Sequence, residues 1–371
     1  MDWRVKPDAS TRRACKSMRP ATLPIDGTDE RRDPKFGRRR TTGPRLLASC
    51  VIVSTGCTPA KRANPRIEAP VPALSEHELV AGVQQLAGLA QIEVRRAINV
   101  PAVEVGPEHW MALRAEILDA LSCEAVCGVV VTHGTDLLEE TAWFLALTLP
   151  MDRPIVITSA MRNASEIQSS GARNLVDAVR VCLASSARGM GVLVVMDGEI
   201  HGAREGERSQ TKAKDVFRRG AACELGSVGT DGPAFWRGPR SHPRVEPSAT
   251  AMPRVDIVPM YGGADGRLVR CAVQEGARGI VIQAVGSGNV SEAMYEELCA
   301  AIGAGVQVVI ATQMRTGLSE PVYGFPGGCA SLNHAGAVLS NSLTPQKARI
   351  LLMLALQQGW SRSEVQALFD F

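Results

Sequence analysis

No run of about 18 uncharged apolar residues occurs anywhere in the 371 residues, which excludes a transmembrane helix. Residues 1–45 lack an apolar leader segment as well. Leu47-Ala48-Ser49-Cys50 imitates a lipoprotein cleavage box, but Arg38, Arg39, Arg40 and Arg45 occupy the place of its apolar run. A cytoplasmic protein without a membrane partner is therefore expected. Lysine is scarce, seven residues against 34 arginines, so each lysine is worth locating. The ten cysteines follow no repeated spacing, and a chain of this length is not a disulfide-stapled scaffold. Cys123 and Cys127 have the spacing of one helix face, but no second pair or histidine completes a zinc set. They read as buried free thiols. Internal repeats are also lacking.

What is present is ordinary globular composition, 45% hydrophobic and 21% charged, with length enough for two domains. Charge is unevenly placed. Residues 1–45 hold 13 Lys and Arg against 6 Asp and Glu, and the remainder holds 28 against 32. The basic character thus belongs to a tail. Residues 1–45 are rich in Arg, Pro, Asp and Thr and read as a disordered basic tail. Its interleaved acids argue against a nucleic-acid arm, and its deletion is expected to leave stability and assembly unchanged.

From residue 46 onward, strand and helix patterns alternate. Apolar runs at Leu46–Ser54, Gly128–Thr132, Pro154–Ser159, Gly191–Met196, Val255–Met260, Gly279–Ala284 and Val306–Thr312 fit buried parallel strands. Ser75-Glu76-His77-Glu78 is a capping box ahead of an apolar helix pattern. Thr344-Pro345 is a cap with proline at the first helical position, opening Gln346–Gln358. Five prolines between Gly232 and Pro253 mark a linker. The expectation is an α/β protein: a larger N-terminal parallel-sheet domain over 46–231, a linker over 232–253, and a smaller C-terminal α/β domain over 254–371.

In open α/β sheets the reactive crevice lies beyond the carboxyl ends of the strands. The residues there are Ser54-Thr55-Gly56-Cys57-Thr58, then His133-Gly134-Thr135-Asp136 with Leu137–Thr141, then Ala160-Met161-Arg162, and Val285-Gly286-Ser287-Gly288-Asn289. Gly286-x-Gly288 lacks the third glycine and the acidic partner of a dinucleotide fingerprint. His133 reads as a hydrogen-bonded structural residue. Two threonines and an aspartate at two strand ends suit a hydroxyl nucleophile, which needs a second group to take its proton and a carboxylate to hold a cationic substrate group.

Thr55-Gly56-Cys57-Thr58-Pro59-Ala60 resembles the Thr-Gly-Gly-Thr-Ile-Ala motif of bacterial-type L-asparaginases, and Thr132–Thr141 is similar to that family's second signature. Ala160-Met161-Arg162, Gly286-x-Gly288-Asn289 and Leu343–Arg349 match in the family's order and spacing, over about residues 46–371. The resemblance implies two α/β domains, a homotetramer with active sites between subunits, and neither metal nor cofactor. It implies Thr58 as nucleophile, Thr135 as its assistant, and Asp136 on the α-amino group of a small amide substrate. Asn289 would reach a neighbouring site. The reaction implied is hydrolysis of the side-chain amide of L-asparagine through an acyl-threonine.

Departures from the pattern fall in the working parts. Cys57 replaces the motif's second glycine. Pro70 stands where the family's loop carries a tyrosine that bonds the nucleophile, and no tyrosine occurs between residues 58 and 110. Ala102, beside Val103, replaces the serine that binds the substrate carboxylate. Arg208 falls at the family's lysine, with Lys212 four residues on, and arginine stays charged where lysine can give up its proton. No glutamate sits at the third position of the tyrosine triad, near Cys329, and Glu320 is the nearest. Two readings follow: an amidohydrolase that is slow or shifted in substrate, or a non-catalytic homologue that binds an acidic small molecule. A tRNA-dependent amidotransferase subunit is disfavoured, because residues 1–45 are too short and polar for the folded extension it would need.

Overall fold

Alternate residues of β1 (Ser49–Ser54) point to opposite faces of a sheet, and both sets are apolar: Cys50 and Ile52 on one side, Val51 and Val53 on the other. Such a strand is stable only when both faces are covered. The computed structural model describes residues 47–56, 61–64, 69–72, 83–159, 171–206, 224–314 and 317–371, with backbone alone at 61–64 and 69–72. Residues 48–371 form one unit. After β1 come β2 (Lys61–Asn64) and β3 (Ala69–Pro72), an antiparallel ribbon, then β4 (Gln91–Arg96), α1 (Pro107–Leu121), β5 (Val126–Thr132), α2 (Leu138–Thr148), β6 (Ile155–Thr158), α3 (Gly171–Leu183), β7 (Val192–Met196), β8 (Glu199–Gly202), β9 (Glu224–Gly229) and β10 (Gly232–Phe235).

The large sheet runs β10-β9-β8-β7-β6-β5-β1-β4. Strands β4, β1, β5, β6 and β7 are parallel, while β8, β9 and β10 add antiparallel. The expected parallel sheet is therefore mixed. Asp197-Gly198, with φ of 52° and 82°, supplies the two-residue turn with both φ positive that closes a hairpin from β7 to β8. The start of the expected linker is corrected too, because Gly232–Phe235 is a sheet strand. Pro233 is tolerated there since β10 lies at the sheet edge, where a missing N–H breaks no ladder. Beyond it, Val245 is buried and its N–H donates to Leu147 O at 2.8 Å.

The second sheet, β11 (Val255–Pro259), β12 (Gly279–Ala284), β13 (Gln307–Thr312) and β14 (Val338–Leu339), is parallel throughout. Its helices are α4 (Arg267–Gln274), α5 (Glu292–Gly303), α6 (Cys329–Ala335), α7 (Pro345–Gln357) and α8 (Arg362–Phe369). Thr344 caps α7 as its sequence predicts, accepting from the Lys347 N–H at 3.4 Å. One face of the large sheet packs Ile52, Val130, Val156 and Val195 on Leu175, Val176 and Val179 of α3. The other face packs Val51, Val129 and Ile155 on α1 and α2, and the same core continues through α7 to Val255, Val281 and Val309 of the second sheet. Helix α2 is buried from Thr141 to Thr148, which explains why its sequence is apolar all round. Each fully buried Leu or Val in this shared core contributes about 1.5–3 kcal/mol.

Cys123 lies in the turn after α1 and Cys127 in β5, so the helix face that their spacing suggests does not form. The capping box at 75–78 lies outside the described residues, although Leu86, of the pattern it preceded, is buried in a short 3-10 turn. Among the described residues, no helix is long and apolar enough to cross a membrane.

Candidate active site

The chain leaves β1 for β4 on one side and returns for β5 on the other. The switch point therefore lies between β1 and β5, the place where open α/β sheets bind ligands. Two hydrogen bonds close the carboxyl ends of these strands together: the Thr55 N–H and the Thr55 hydroxyl both donate to Thr132 O, at 3.2 and 3.0 Å. Thr55 is buried, and its hydroxyl proton is engaged in this contact. The next residue, Gly56, has φ of 78°, and a Cβ there would stand 2.7 Å from the Asn99 side-chain oxygen. Only glycine permits this turn with the 97–106 loop lying so close.

That loop follows β4. Ala97 N–H donates to Ser54 O at 3.1 Å, and Ala102–Glu104 forms one 3-10 turn in which Ala102 is buried and Val103 is 63% exposed. No hydroxyl or cationic side chain stands at 102 or 103.

After β5 the chain enters a loop held from beneath by His133. The imidazole Nδ1 is 2.6 Å from Gly134 O and Nε2 is 3.0 Å from Thr141 Oγ1, which also accepts from Trp110 Nε1 at 3.0 Å. A carbonyl cannot donate, so Nδ1 carries the proton, and the Thr141 hydroxyl donates to Nε2 while receiving the indole N–H. Burial pushes the His133 pKa down to about 4, against opposing contributions from Gly134 O and Asp136. His133 is therefore the hydrogen-bonded structural residue that its sequence context predicts, kept neutral by burial, and it fixes the loop on which Thr135 is partly buried and Asp136 exposed. Burial also raises the Glu140 pKa, with Arg349 of α7 opposing it.

A second cluster stands at the carboxyl edge of β12. Gly286 and Gly288, with φ of 55° and 115°, form a tight turn closed by Gly288 N–H and Asn289 N–H on Val285 O at 3.1 and 2.9 Å. A Cβ on Gly288 would lie 2.8 Å from Cys329 Sγ. These glycines serve a turn and a close helix contact. The Asn289 side-chain oxygen accepts from Cys329 N–H at 3.2 Å. Glu320 N–H donates to Ser287 O at 2.9 Å and Ala330 N–H to Tyr323 O at 3.0 Å. Asn289, Glu320 and Tyr323 thus share one platform, on which Tyr323 is half exposed. Burial and the nearby Glu320 carboxylate push the Cys329 thiol up to about 11. Sequence reading missed Tyr323. A signal existed, since it is one of three tyrosines and lies three residues from Glu320.

Thr58, Arg208, Lys212 and Ala160-Met161-Arg162 lie outside the described residues, as does Cys57. Pro70 belongs to β3, opposite Ala63.

Residues 49–240 match the family described as "Asparaginase, N-terminal", and residues 254–369 match the "Glutaminase/Asparaginase C-terminal domain". The chain belongs to the asparaginase family. It is 36% identical over 333 residues to "Probable L-asparaginase" of Deinococcus radiodurans, covering 88% of this chain and 98% of that protein. It is 33% identical to "L-asparaginase 2" of Bacillus subtilis over 88% of this chain and 85% of that one. The crystal structure of "Probable Cytoplasmic L-asparaginase" from Campylobacter jejuni superposes with a TM-score of 0.79 at 28% identity, covering 87% of this chain and 99% of that chain. The two-domain architecture, a larger mixed-sheet domain and a smaller parallel-sheet domain, is that of the asparaginase family.

Proposed function

We propose that the protein is an asparaginase-type amidohydrolase, converting L-asparagine and water to L-aspartate and ammonia. The observation that carries the reading is the pairing of the Thr55–Gly56 turn with the loop bearing Thr135 and Asp136 at the β1–β5 switch point; Thr58 follows Gly56 by two residues in the chain. The relatives are named as enzymes, and no observation favours a non-catalytic homologue.

In this reading, the Thr58 hydroxyl oxygen attacks the amide carbon and Thr135 assists removal of its proton. The carbonyl electrons collect on an oxyanion, for which backbone N–H groups are the available donors. The C–N bond breaks, nitrogen takes up the proton and ammonia leaves an acyl-threonine. Water then adds to the ester carbon and gives up a proton, the Thr58 oxygen takes a proton as the ester C–O bond breaks, and aspartate departs. Asp136 holds the substrate α-ammonium. At Ala102 and Val103 only backbone donors remain for the substrate carboxylate. Arg208 stays cationic and supports Asp136 without accepting a proton, so turnover is slow.

Asn289, with Glu320 and Tyr323 on the same platform, completes the site of a second copy in a homotetramer, and Tyr323 offers the phenol that the segment after Thr58 lacks. Cytoplasmic residence belongs to the same proposal, supported by the name of the Campylobacter neighbour.

Ammonia release from asparagine and glutamine, measured against Thr58→Ala, tests the activity. Release that persists in Thr58→Ala, or none from the unaltered protein, overturns it. Mixing Thr58→Ala with Tyr323→Phe tests the shared site. Hybrids form some sites free of both changes, so activity returns on mixing; if each site is built from one chain, it does not.

A further inference from the structure

Trp110 of α1 and Thr141 of α2 are both buried among apolar neighbours, and both carry a polar group there. Trp110 stacks on Phe144 at 5.4 Å, and its indole N–H donates to Thr141 Oγ1 at 3.0 Å. The Thr141 hydroxyl donates in turn to His133 Nε2 at 3.0 Å, and His133 Nδ1–H donates to Gly134 O at 2.6 Å. This hydrogen-bonded link ends one residue before Thr135 and two before Asp136.

At its other end the link reaches the 97–106 loop. Trp110 N–H donates to Gly106 O at 2.9 Å, and Val105 N–H donates to Ala102 O at 3.3 Å, closing the Ala102–Glu104 turn. Gly106 N–H donates to His109 Nδ1 at 3.3 Å, which holds the entry of α1 at the same place. The link therefore runs through the interior from the turn at Ala102 to the loop that carries Asp136, two segments far apart in sequence.

Apolar groups of the same shape in place of a buried hydrogen-bonded pair are often nearly neutral for stability. The polar link is better explained by what it fixes. Apolar packing between α1 and α2 has no preferred direction, whereas hydrogen bonds have preferred lengths and angles. His133, kept neutral by burial, offers one donor and one acceptor, so the sense of every bond in the link is set. A link of this kind holds a distance. An α-amino acid requires one, because its carboxylate and ammonium stand on the same carbon and must meet their partners together. Binding groups need placement within about 0.5 Å.

We infer that the Trp110–Thr141–His133 link is a specificity-determining element: it sets the separation between the backbone donors at Ala102 and Val103 and the Asp136 carboxylate, and so selects ligands that bear both an α-carboxylate and an α-ammonium. The inference rests on the reading of those two groups as partners of the substrate carboxylate and ammonium. Its effect falls on ligands that use both. Aspartate does, whereas succinate lacks the ammonium and β-alanine lacks the α-carboxylate.

The test titrates aspartate, succinate and β-alanine into the full-length protein and into Thr141→Val, Thr141→Ser and Trp110→Phe. In Thr141→Val, aspartate affinity is expected to fall about fivefold or more, the worth of one hydrogen bond, with succinate and β-alanine changed less than about twofold. Thr141→Ser keeps the hydroxyl and should keep the original affinities. Trp110→Phe removes only the indole donor and should weaken aspartate alone, by about threefold. Thr141→Val decides where it folds, and Trp110→Phe where it does not. Equal losses for all three ligands, the mark of a merely loosened structure, overturn the inference, as does unchanged aspartate affinity in the deciding variant. If the unaltered protein does not bind aspartate more tightly than both analogues, the functional reading fails separately. Hydrogen exchange decides the link in that case, and wherever an analogue binds too weakly to titrate. Joint loss of protection at 102–106 and 133–137, with the rest of the large sheet unchanged, supports it; loss at one, at neither or throughout the sheet overturns it.

Discussion

The Thr55 hydroxyl donates to the Thr132 carbonyl at 3.0 Å, joining the ends of the two strands from which the candidate site is built. Thr55 and Thr58 are three residues apart and chemically alike, yet this bond separates them: the Thr55 proton is already engaged in a buried contact. Thr55→Val is expected to cost about 0.5–1.5 kcal/mol of stability, read as a small fall in melting temperature, and to keep amidase activity within tenfold. Thr58→Ala should abolish turnover while leaving the melting temperature near its original value. The reverse pattern would assign the nucleophile to Thr55.

His133 sets an acid limit on stability. Its pKa is about 4 when folded and 6.5 when free. Between these values the unfolded chain binds a proton that the folded chain does not, so stability is full above pH 6.5 and falls as the pH drops toward 4. The loss amounts to about 3 kcal/mol at one proton over the window. Melting curves from pH 7 to 4 should show this slope, and His133→Asn should remove about one proton from it. Thr141→Val, which strands both Trp110 Nε1 and His133 Nε2, should cost about 1–3 kcal/mol.

Arg208 is the expected limit on rate. A threonine needs a group to take its proton, and a lysine can do so once its surroundings lower its pKa, whereas arginine remains a cation. Arg208→Lys should raise kcat on asparagine tenfold or more, each tenfold being about 1.4 kcal/mol of barrier. Fast hydrolysis by the unaltered protein, unchanged in Arg208→Lys, would point instead to Lys212 or water as the base.

Gly288 combines φ of 115° with a Cβ position 2.8 Å from Cys329 Sγ. Gly288→Ala should therefore lower stability by about 1–3 kcal/mol. Adding Cys329→Ala should recover only the steric part, since it removes the sulfur and leaves the backbone strain. Full recovery in a double-mutant cycle would show that strain at 288 is negligible.

The family, the seven strands with runs apolar on both faces and the Thr344 cap of α7 were legible along the chain. Each of these signals is local, a run, a cap or a motif read along the chain. The edge strand β4 has polar residues in alternation and gave no continuous apolar run, and the Asp197-Gly198 hairpin passed unread although its turn chemistry was visible. That the sheet is mixed, that His133 is neutral within a Trp110–Thr141 chain, and that Lys347 ties α2 to the 204–206 turn follow only from how the chain packs. Those facts depend on groups far apart in sequence, Trp143 and Lys347 among them, meeting where water is excluded, so that each buried donor must find its acceptor through space.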